Sequence, residues 1–186
     1  MFNDIITADK NLLIFLNNLG SEQWDILWLT ITNQLSWIPL FIFIIVYVIK
    51  TFGWKRGGFA ILAMIILVAF SDQFTNFIKN SVQRLRPNND PEINHLLRIV
   101  KKVGGYSFMS GHATTSSFFS IFVIHLLKDY IKYIYLILIF PILFAYSRLY
   151  LGVHFPIDIL VGLTIGTVFA KLYYLLYKKI DSKIFK

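Results

Sequence analysis

The longest uncharged stretch of the chain runs from Ile26 to Ile49 and contains 24 residues. A helix of this length extends about 36 Å, which exceeds the hydrocarbon core of a bilayer, about 30 Å thick. The composition agrees with a membrane location, because 56% of the 186 residues are hydrophobic and only 15% are charged, against about 25% charged in soluble domains. A soluble enzyme, a disordered region and a nucleic-acid-binding module are therefore disfavoured.

Four further apolar stretches are long enough, or nearly so, to cross a bilayer. They run over Gly58–Lys79, Gly111–Leu127, Ile131–Ser147 and Pro156–Tyr177. The sequence therefore predicts an all-α fold, a polytopic membrane helix bundle of about five transmembrane helices. A single domain over residues 1–186 is expected, because the chain is short and no internal repeat is evident.

An apolar pattern at helical spacing also occurs before the first span. The residues that form it are Leu12, Leu13, Phe15, Leu16 and Leu19. The segment is too short to cross a bilayer, so we predict an N-terminal interfacial helix that lies at the membrane surface. A helix that caps the bundle and faces water is the alternative.

Basic residues around the short turns and the C-terminus indicate the orientation. Nine of them lie there: Lys50, Lys55, Arg56, Lys128, Lys132, Lys178, Lys179, Lys183 and Lys186. The opposite side carries eight, but several of those belong to the candidate site described below. Because positively charged loops stay in the cytoplasm, the protein is expected in a bacterial inner membrane with the 80–108 loop and the 148–155 turn on the outer face.

Ionisable side chains inside or at the edge of a membrane are costly and therefore indicate a functional site. Here they gather at one end of the predicted spans. Asp72, Asn76 and Lys79 follow i, i+4, i+7 spacing and share one helix face. The remaining members are Arg86, Ser110, Gly111, His112, Arg148, His154 and Asp158. This set predicts a polar site at the outer end of the bundle.

The cations of this set suit a phosphoryl group. Arg86 and Arg148 can bind phosphate oxygens bidentately, and Lys79 adds a point charge. Ser110 and Gly111 lie where the third span begins, and free N–H groups at a helix start bind anions. These five residues are therefore predicted to bind phosphate.

The two histidines of the set are predicted to carry the chemistry. His154 and Asp158 are one helical turn apart, so the carboxylate can accept a ring N–H and leave the other nitrogen as a nucleophile. His112 is placed to protonate the leaving oxygen. Zinc binding by the two histidines and Asp158 is the alternative, but the surrounding cations would repel a metal ion.

The spacing Lys79-x6-Arg86-Pro87, Ser110-Gly111-His112 and Ser147-Arg148-x5-His154-x3-Asp158 resembles the three-part signature of the type 2 phosphatidic acid phosphatase family, over about residues 72–162. The resemblance implies a phosphohistidine on His154, leaving-group protonation by His112, and phosphate binding by Lys79, Arg86, Ser110, Gly111 and Arg148. One departure is Met109, where the family usually has proline.

Other polar residues are given structural roles. We expect Asp72 to pair with Lys79 or Asn76, and Arg84 and Arg98 to be solvated loop charges. His95 and His125 match no motif and are expected at surfaces and interfaces. The small residues near the start of the third span are expected to pack against another helix: Thr114, Thr115, Ser116, Ser117 and Ser120.

The predicted function is hydrolysis of a lipid phosphate or diphosphate, with undecaprenyl diphosphate as the first candidate and phosphatidic acid, phosphatidylglycerol phosphate and a lipid A phosphate as alternatives. The partners expected are the lipid phosphate substrate and membrane lipids, with no nucleic acid, no protein partner and no cofactor or metal. An anion or lipid transporter is the rival from another class, and a silent assembly protein is a further one. Phosphate release by the purified protein would separate the enzyme from both.

Overall fold

The computed structural model describes residues 2–186, with side chains from residue 3 onward. Its six α-helices are α1 (Phe2–Asn18), α2 (Asp25–Thr32), α3 (Ile38–Val82), α4 (Gly111–Leu127), α5 (Ile139–Tyr150) and α6 (Pro156–Ile184). Within residues 2–186 no β-strand forms, and the only β pairing is an isolated bridge between Leu85 and Tyr106. The predicted all-α fold is confirmed.

Helix α3 is two antiparallel helices joined at Gly53. Gly53 has a φ of 74°, a left-handed conformation that interrupts the helix and that glycine adopts without steric cost. A Cβ at Gly57 would lie 3.2 Å from the carbonyl oxygen of Val48. Nine residues of unbroken helix would separate these positions by about 13 Å. The chain therefore folds back at Gly53, and the first two predicted spans form a hairpin.

The first predicted span is not one continuous helix, which corrects the prediction for Ile26–Ile49. Helix α2 ends at Thr32, and a 3-10 turn over Gln34–Trp37 leads into α3. The Asn33 side chain accepts a hydrogen bond from the Leu35 N–H at 3.1 Å. Pro39 adds to the break, because it has no N–H and its ring clashes with the carbonyl four residues earlier.

Two segments within residues 2–186 are long and apolar enough to cross a membrane, Gln34–Val82 and Pro156–Ile184. Gly111–Leu127 and Ile134–Tyr150 are shorter apolar segments. Helix α4 occupies the centre, where it packs against α3, α5 and most extensively α6. The contact with α6 is close because Gly162 and Gly166 face Ser110, Thr114 and Ser117, so the expected packing role is confirmed for Thr114 and Ser117.

Helix α1 lies across the end of the bundle that holds the 83–110 loop, here called the site end. It packs against α5 and α6. Asp9, Leu13 and Asn17 form its buried face, whereas Ile5, Leu12 and Phe15 are exposed. Helix α1 thus has one face against the bundle and one apolar face outside it, as the interfacial interpretation requires.

Candidate active site

The polar residues singled out in the sequence meet at the site end. Lys79 comes from the last turns of α3, Ser110 and His112 from the start of α4, and Arg148 from the end of α5. Arg86 lies on the long loop, and His154 precedes α6. The charges of Arg148, Arg86 and Lys79 all act on the His154 ring, and the same three act on His112. The structure therefore brings both histidines and all three cations into one cluster.

His154 is buried, with 1% of its surface exposed, and its ring lies between Arg86 and Asp158. Nε2 lies 3.1 Å from Nη1 of Arg86. Because a guanidinium can only donate, Nε2 must be the acceptor and Nδ1 must carry the proton. Nδ1 faces Oδ2 of Asp158 at 3.4 Å, a distance longer than a good hydrogen bond but of the kind that tightens when substrate binds. The nucleophilic lone pair therefore points toward the cations.

Burial and positive charge keep the His154 ring neutral. Burial lowers the pKa of His154 well below its ordinary value of 6.5, and the charges of Arg148, Arg86 and Lys79 lower it further. Burial also lowers the pKa of the Arg86 guanidinium from its ordinary 12.5, an effect that the Asp158 charge opposes. A neutral imidazole beside a charged guanidinium is the state that nucleophilic attack on a phosphoryl group needs.

The other cations are held by different contacts. Arg148 is 5% exposed and donates from Nη1 to the Thr32 hydroxyl at 2.5 Å. Its Nε is buried without a hydrogen-bond partner. A Cβ at Gly111 would lie 3.8 Å from Nζ of Lys79, so the amine lies close to the start of α4. An unpaired guanidinium N–H and an amine beside free backbone N–H groups form a site suited to an anion.

The start of α4 is fixed by the residue that precedes it. Ser110 is fully buried and its Oγ accepts a hydrogen bond from the Ala113 N–H at 3.4 Å. Its own N–H donates to the Asp158 carbonyl at 3.1 Å, which ties α4 to α6. The His112 ring stacks on Phe144 with centroids 4.5 Å apart. Met109, at the position of the family proline, is fully buried.

A cavity of about 620 Å³ opens beside this cluster, between the two halves of α3 and helices α4 and α5. Lys79, Gly111 and His112 line its polar end. Its body is lined by apolar side chains: Phe41, Ile44, Ile61, Met64, Ile65, Val68, Phe119, Phe140 and Phe144. The cation cluster thus continues directly into an apolar space among the spans.

Comparison with known proteins decides the family. A family model described as the PAP2 superfamily matches residues 57–182, which is more than half of the chain. The chain belongs to the PAP2 superfamily. The expected membership is confirmed, and it places this PAP2 protein in the membrane lipid phosphatase branch, among phosphoric ester hydrolases.

The relatives of this PAP2 protein that carry a name are lipid phosphatases. It is 34% identical over 189 residues to a lipid A 4′-phosphatase of Bacteroides thetaiotaomicron, covering 99% of this chain and 83% of the relative. It is 27% identical over 176 residues to a lipid A 4′-phosphatase of Porphyromonas gingivalis, covering 93% and 74%. A solved structure, the transmembrane PAP2 type phosphatidylglycerolphosphate phosphatase of Bacillus subtilis, shares the fold with a TM-score of 0.74 at 22% identity, covering 99% of this chain and 90% of that one.

Two sequence predictions about the PAP2 site region were wrong. Arg84 is not a solvated loop charge, because it pairs with Asp9 and Asp158 and is 22% exposed. Arg98 is not solvated either, since it pairs with Asp25 and lies over the Tyr150 ring. The expected pairing of Asp72 with Asn76 is confirmed at 3.2 Å.

Sequence reasoning also missed Thr32 and Asp9 as residues that support the PAP2 site. Thr32 accepts a hydrogen bond from Arg148, and Asp9 accepts one from Arg84. Both partners are more than 70 residues away in the chain. Asp9 stands in α1 at four-residue spacing from buried Leu13 and Asn17, and this was the one local sign that it faces the bundle. Nothing in the residues around Thr32 indicated its contact.

Proposed function

We propose that the protein hydrolyses a phosphate ester of a membrane lipid through a phosphohistidine intermediate on His154. One observation carries the proposal: the Nε2 lone pair of His154 faces a cation cluster that opens into an apolar cavity. The cluster suits a phosphoryl group, and the cavity suits the hydrocarbon part of the same molecule. A lipid phosphate is the substrate class that fills both.

The reaction takes place in two steps. In the first, Nε2 of His154 attacks phosphorus and the bond from phosphorus to the lipid oxygen breaks. His112, which is protonated once the bound phosphate offsets the neighbouring cations, gives its proton to that oxygen. In the second, water loses a proton to His112 and attacks phosphorus, and the bond from phosphorus to nitrogen breaks. Phosphate leaves and His154 is neutral again.

The remaining residues have supporting roles in this mechanism. Lys79, Arg86 and Arg148, with Ser110 and the Gly111 N–H, hold the phosphoryl oxygens and stabilise the charge of the transition state. Asp158 holds the tautomer of His154 and stabilises the positive charge that develops on its ring. No step requires a metal ion, and residues 2–186 contain no cluster of three or more His, Cys, Asp or Glu suited to one.

For the substrate we propose a phosphate monoester on an acylated sugar, of the lipid A type. The two curated relatives carry that name. The same cavity is also lined by the polar side chains of Gln34, Asp72, Thr75 and Asn76, here called the polar collar. A sugar offers hydroxyl and amide groups to such a collar, whereas a prenyl diphosphate offers none at that depth. This ranks a lipid A phosphate above undecaprenyl diphosphate, the first candidate from the sequence.

We also propose that the site end faces outward from a bacterial inner membrane. The basic residues around Gly53, around residues 128–132 and at the C-terminus lie at the opposite end, and this supports a cytoplasmic position for that end. Five spans, with the α3 hairpin counted as two, give this arrangement.

A substrate panel tests the function. The purified protein in detergent is given a lipid A, a phosphatidylglycerol phosphate and undecaprenyl diphosphate, and released phosphate is measured. We expect the highest kcat/KM for lipid A and no release by His154→Ala. Asp72→Asn should lower kcat/KM for lipid A and leave the value for undecaprenyl diphosphate unchanged. Equal release by His154→Ala would refute the mechanism, and a highest kcat/KM for the prenyl substrate would refute the proposed substrate.

A further inference from the structure

Arg84 connects the N-terminal helix to the carboxylate beside the nucleophile. Its Nη1 donates to Oδ1 of Asp158 at 2.8 Å, and its Nη2 donates to Oδ2 of Asp9 at 2.6 Å. The guanidinium lies 3.8 Å from the centroid of the Phe155 ring. The side chains of Asp9 and Asp158 are 1% and 0% exposed. One arginine thus joins two buried carboxylates that come from opposite ends of the sequence.

The contacts of Asp158 divide its two oxygens between two tasks. Oδ1 accepts from Arg84, which leaves Oδ2 to accept from the Phe155 N–H at 3.0 Å and to face Nδ1 of His154. The Arg84 contact on Oδ1 and the Phe155 N–H on Oδ2 therefore together set the rotation of the carboxylate, and this rotation decides whether Oδ2 meets the His154 ring.

Both oxygens of the Asp9 carboxylate accept hydrogen bonds, as do those of Asp158. Its Oδ1 accepts from the Ile157 N–H at 2.9 Å, at the start of α6, while Oδ2 accepts from Arg84. The neighbouring Lys10 pairs with Asp90 at 2.8 Å and Glu92 at 2.6 Å, which fixes α1 against the long loop. Helix α1 thus supplies a buried carboxylate with both oxygens hydrogen-bonded. This carboxylate reaches Asp158 through Arg84.

We propose that Asp9 and Arg84 are positioning residues of the reaction, which act on His154 through Asp158. This inference rests on the roles of His154 and Asp158 in the proposed function. Arg84 alone would neutralise Asp158 and weaken its attraction for the positive charge that forms on His154 during attack. Shared between two carboxylates, Arg84 leaves one net negative charge in the group, and that charge offsets the developing imidazolium. Helix α1 is therefore part of the active site.

A second ion pair provides a matched control for a merely structural role. Arg98 donates to both oxygens of Asp25 at 2.7 and 2.9 Å, and its guanidinium lies 4.8 Å from the centroid of the Tyr150 ring. This pair also ties an N-terminal helix to the long loop through an arginine over an aromatic ring. It does not contact Asp158 or His154. Asp25→Asn therefore measures how far the loss of such an ion pair alone changes the rate and the melting temperature.

The test measures phosphoenzyme formation by rapid quench with an aryl phosphate that carries labelled phosphorus, in the full-length protein. Asp9→Asn should slow this step about 10- to 100-fold, the loss seen when a residue that orients a metal-bound histidine is changed, with KM unchanged. Asp25→Asn should keep the wild-type rate, and the melting temperature of Asp9→Asn should fall no further than that of Asp25→Asn. If Asp9→Asn does not fold, Arg84→Lys replaces it in the test. This variant keeps the positive charge but loses the guanidinium that bonds both carboxylates, so it should slow the same step.

The double variant Asp9→Asn/Asp158→Asn gives the decisive comparison. If Asp9 acts through Asp158, its replacement has no further effect once Asp158 is an amide. A wild-type rate in Asp9→Asn, a change in KM alone, or the same slowing in both backgrounds would overturn the inference. These results leave the proposed function intact, because wild type would still form a phosphohistidine that His154→Ala lacks. Failure of wild type to form one would refute the proposed function and this inference together.

Discussion

Replacing Gly162 with alanine tests how the contact between α4 and α6 positions the phosphate site. A Cβ there would lie 2.9 Å from the Ser110 carbonyl oxygen and 3.0 Å from Oγ1 of Thr114. Carbon–oxygen contacts are ordinarily no closer than about 3.3 Å, so the Ser110 carbonyl must move by about 0.4 Å. Ser110 begins α4 and is bonded to the Asp158 carbonyl. The shift therefore reaches the phosphate-binding end of the helix.

The expected magnitude follows from this displacement. A misplacement of about 1 Å costs about 100-fold in rate, so a shift of about 0.4 Å should lower kcat by about sixfold. Overpacking at such a contact should also lower the free energy of unfolding by about 1–3 kcal/mol. The losses of rate and of stability are both expected because the added Cβ meets a backbone carbonyl, which cannot rotate away as a side chain could.

Two other glycines serve as comparisons in the same assay, which records kcat on one lipid phosphate and thermal unfolding in detergent. Gly58→Ala should keep the wild-type kcat, because no atom lies within 4 Å of its Cβ position. Gly166→Ala should lower stability further than Gly162→Ala, because its Cβ would overlap the Thr114 carbonyl. If Gly162→Ala matches wild type in both kcat and melting temperature, the positioning argument is wrong.

Three further predictions concern orientation, metals and pH. A cysteine at exposed Asn89 should react with an impermeant thiol reagent in intact cells and one at exposed Ser182 should not, since the chain has no native cysteine; the reverse pattern would invert the topology. Activity should survive strong chelation, and vanadate should inhibit as a mimic of the phosphoryl transition state; activity lost in chelator and restored by zinc or magnesium would contradict this. Because the His154 pKa is lowered in the folded state, the unfolded chain binds a proton that the folded chain does not, so thermal stability should fall as pH drops below 6.5. His154→Gln should reduce that slope, and an unchanged slope would count against a neutral His154.

The spans and the motif residues could be predicted because their signals are local. A membrane requires long apolar runs, and phosphate binding requires particular side chains at fixed spacing near helix starts. The helix break at Asn33 was also open to local reasoning, since Asn33 and Pro39 lie inside the predicted span, but hydropathy alone does not register it.

The contacts that support the site could not be predicted in this way. The sequence predicts a solvated charge at Arg84, since its partners, Asp9 and Asp158, are 75 and 74 residues away. Thr32 and Arg148 are separated by 116 residues. Such pairs depend on how helices pack against each other, and a single sequence contains no periodic pattern that links them. The hairpin at Gly53 could not be predicted either, because a single glycine interrupts the 45-residue segment Ile38–Val82 and no periodic pattern marks it.

Rapid quench with labelled substrate in the two histidine variants tests the mechanism most directly. His154→Ala should form no acid-labile, base-stable phosphoenzyme, because it lacks the nitrogen that faces the cations. His112→Ala should form it about 10²- to 10⁴-fold more slowly, the usual loss for a general acid, and the deficit should shrink with an aryl phosphate, whose leaving group needs less protonation. A phosphohistidine in His154→Ala together with none in His112→Ala would show that the two roles are exchanged.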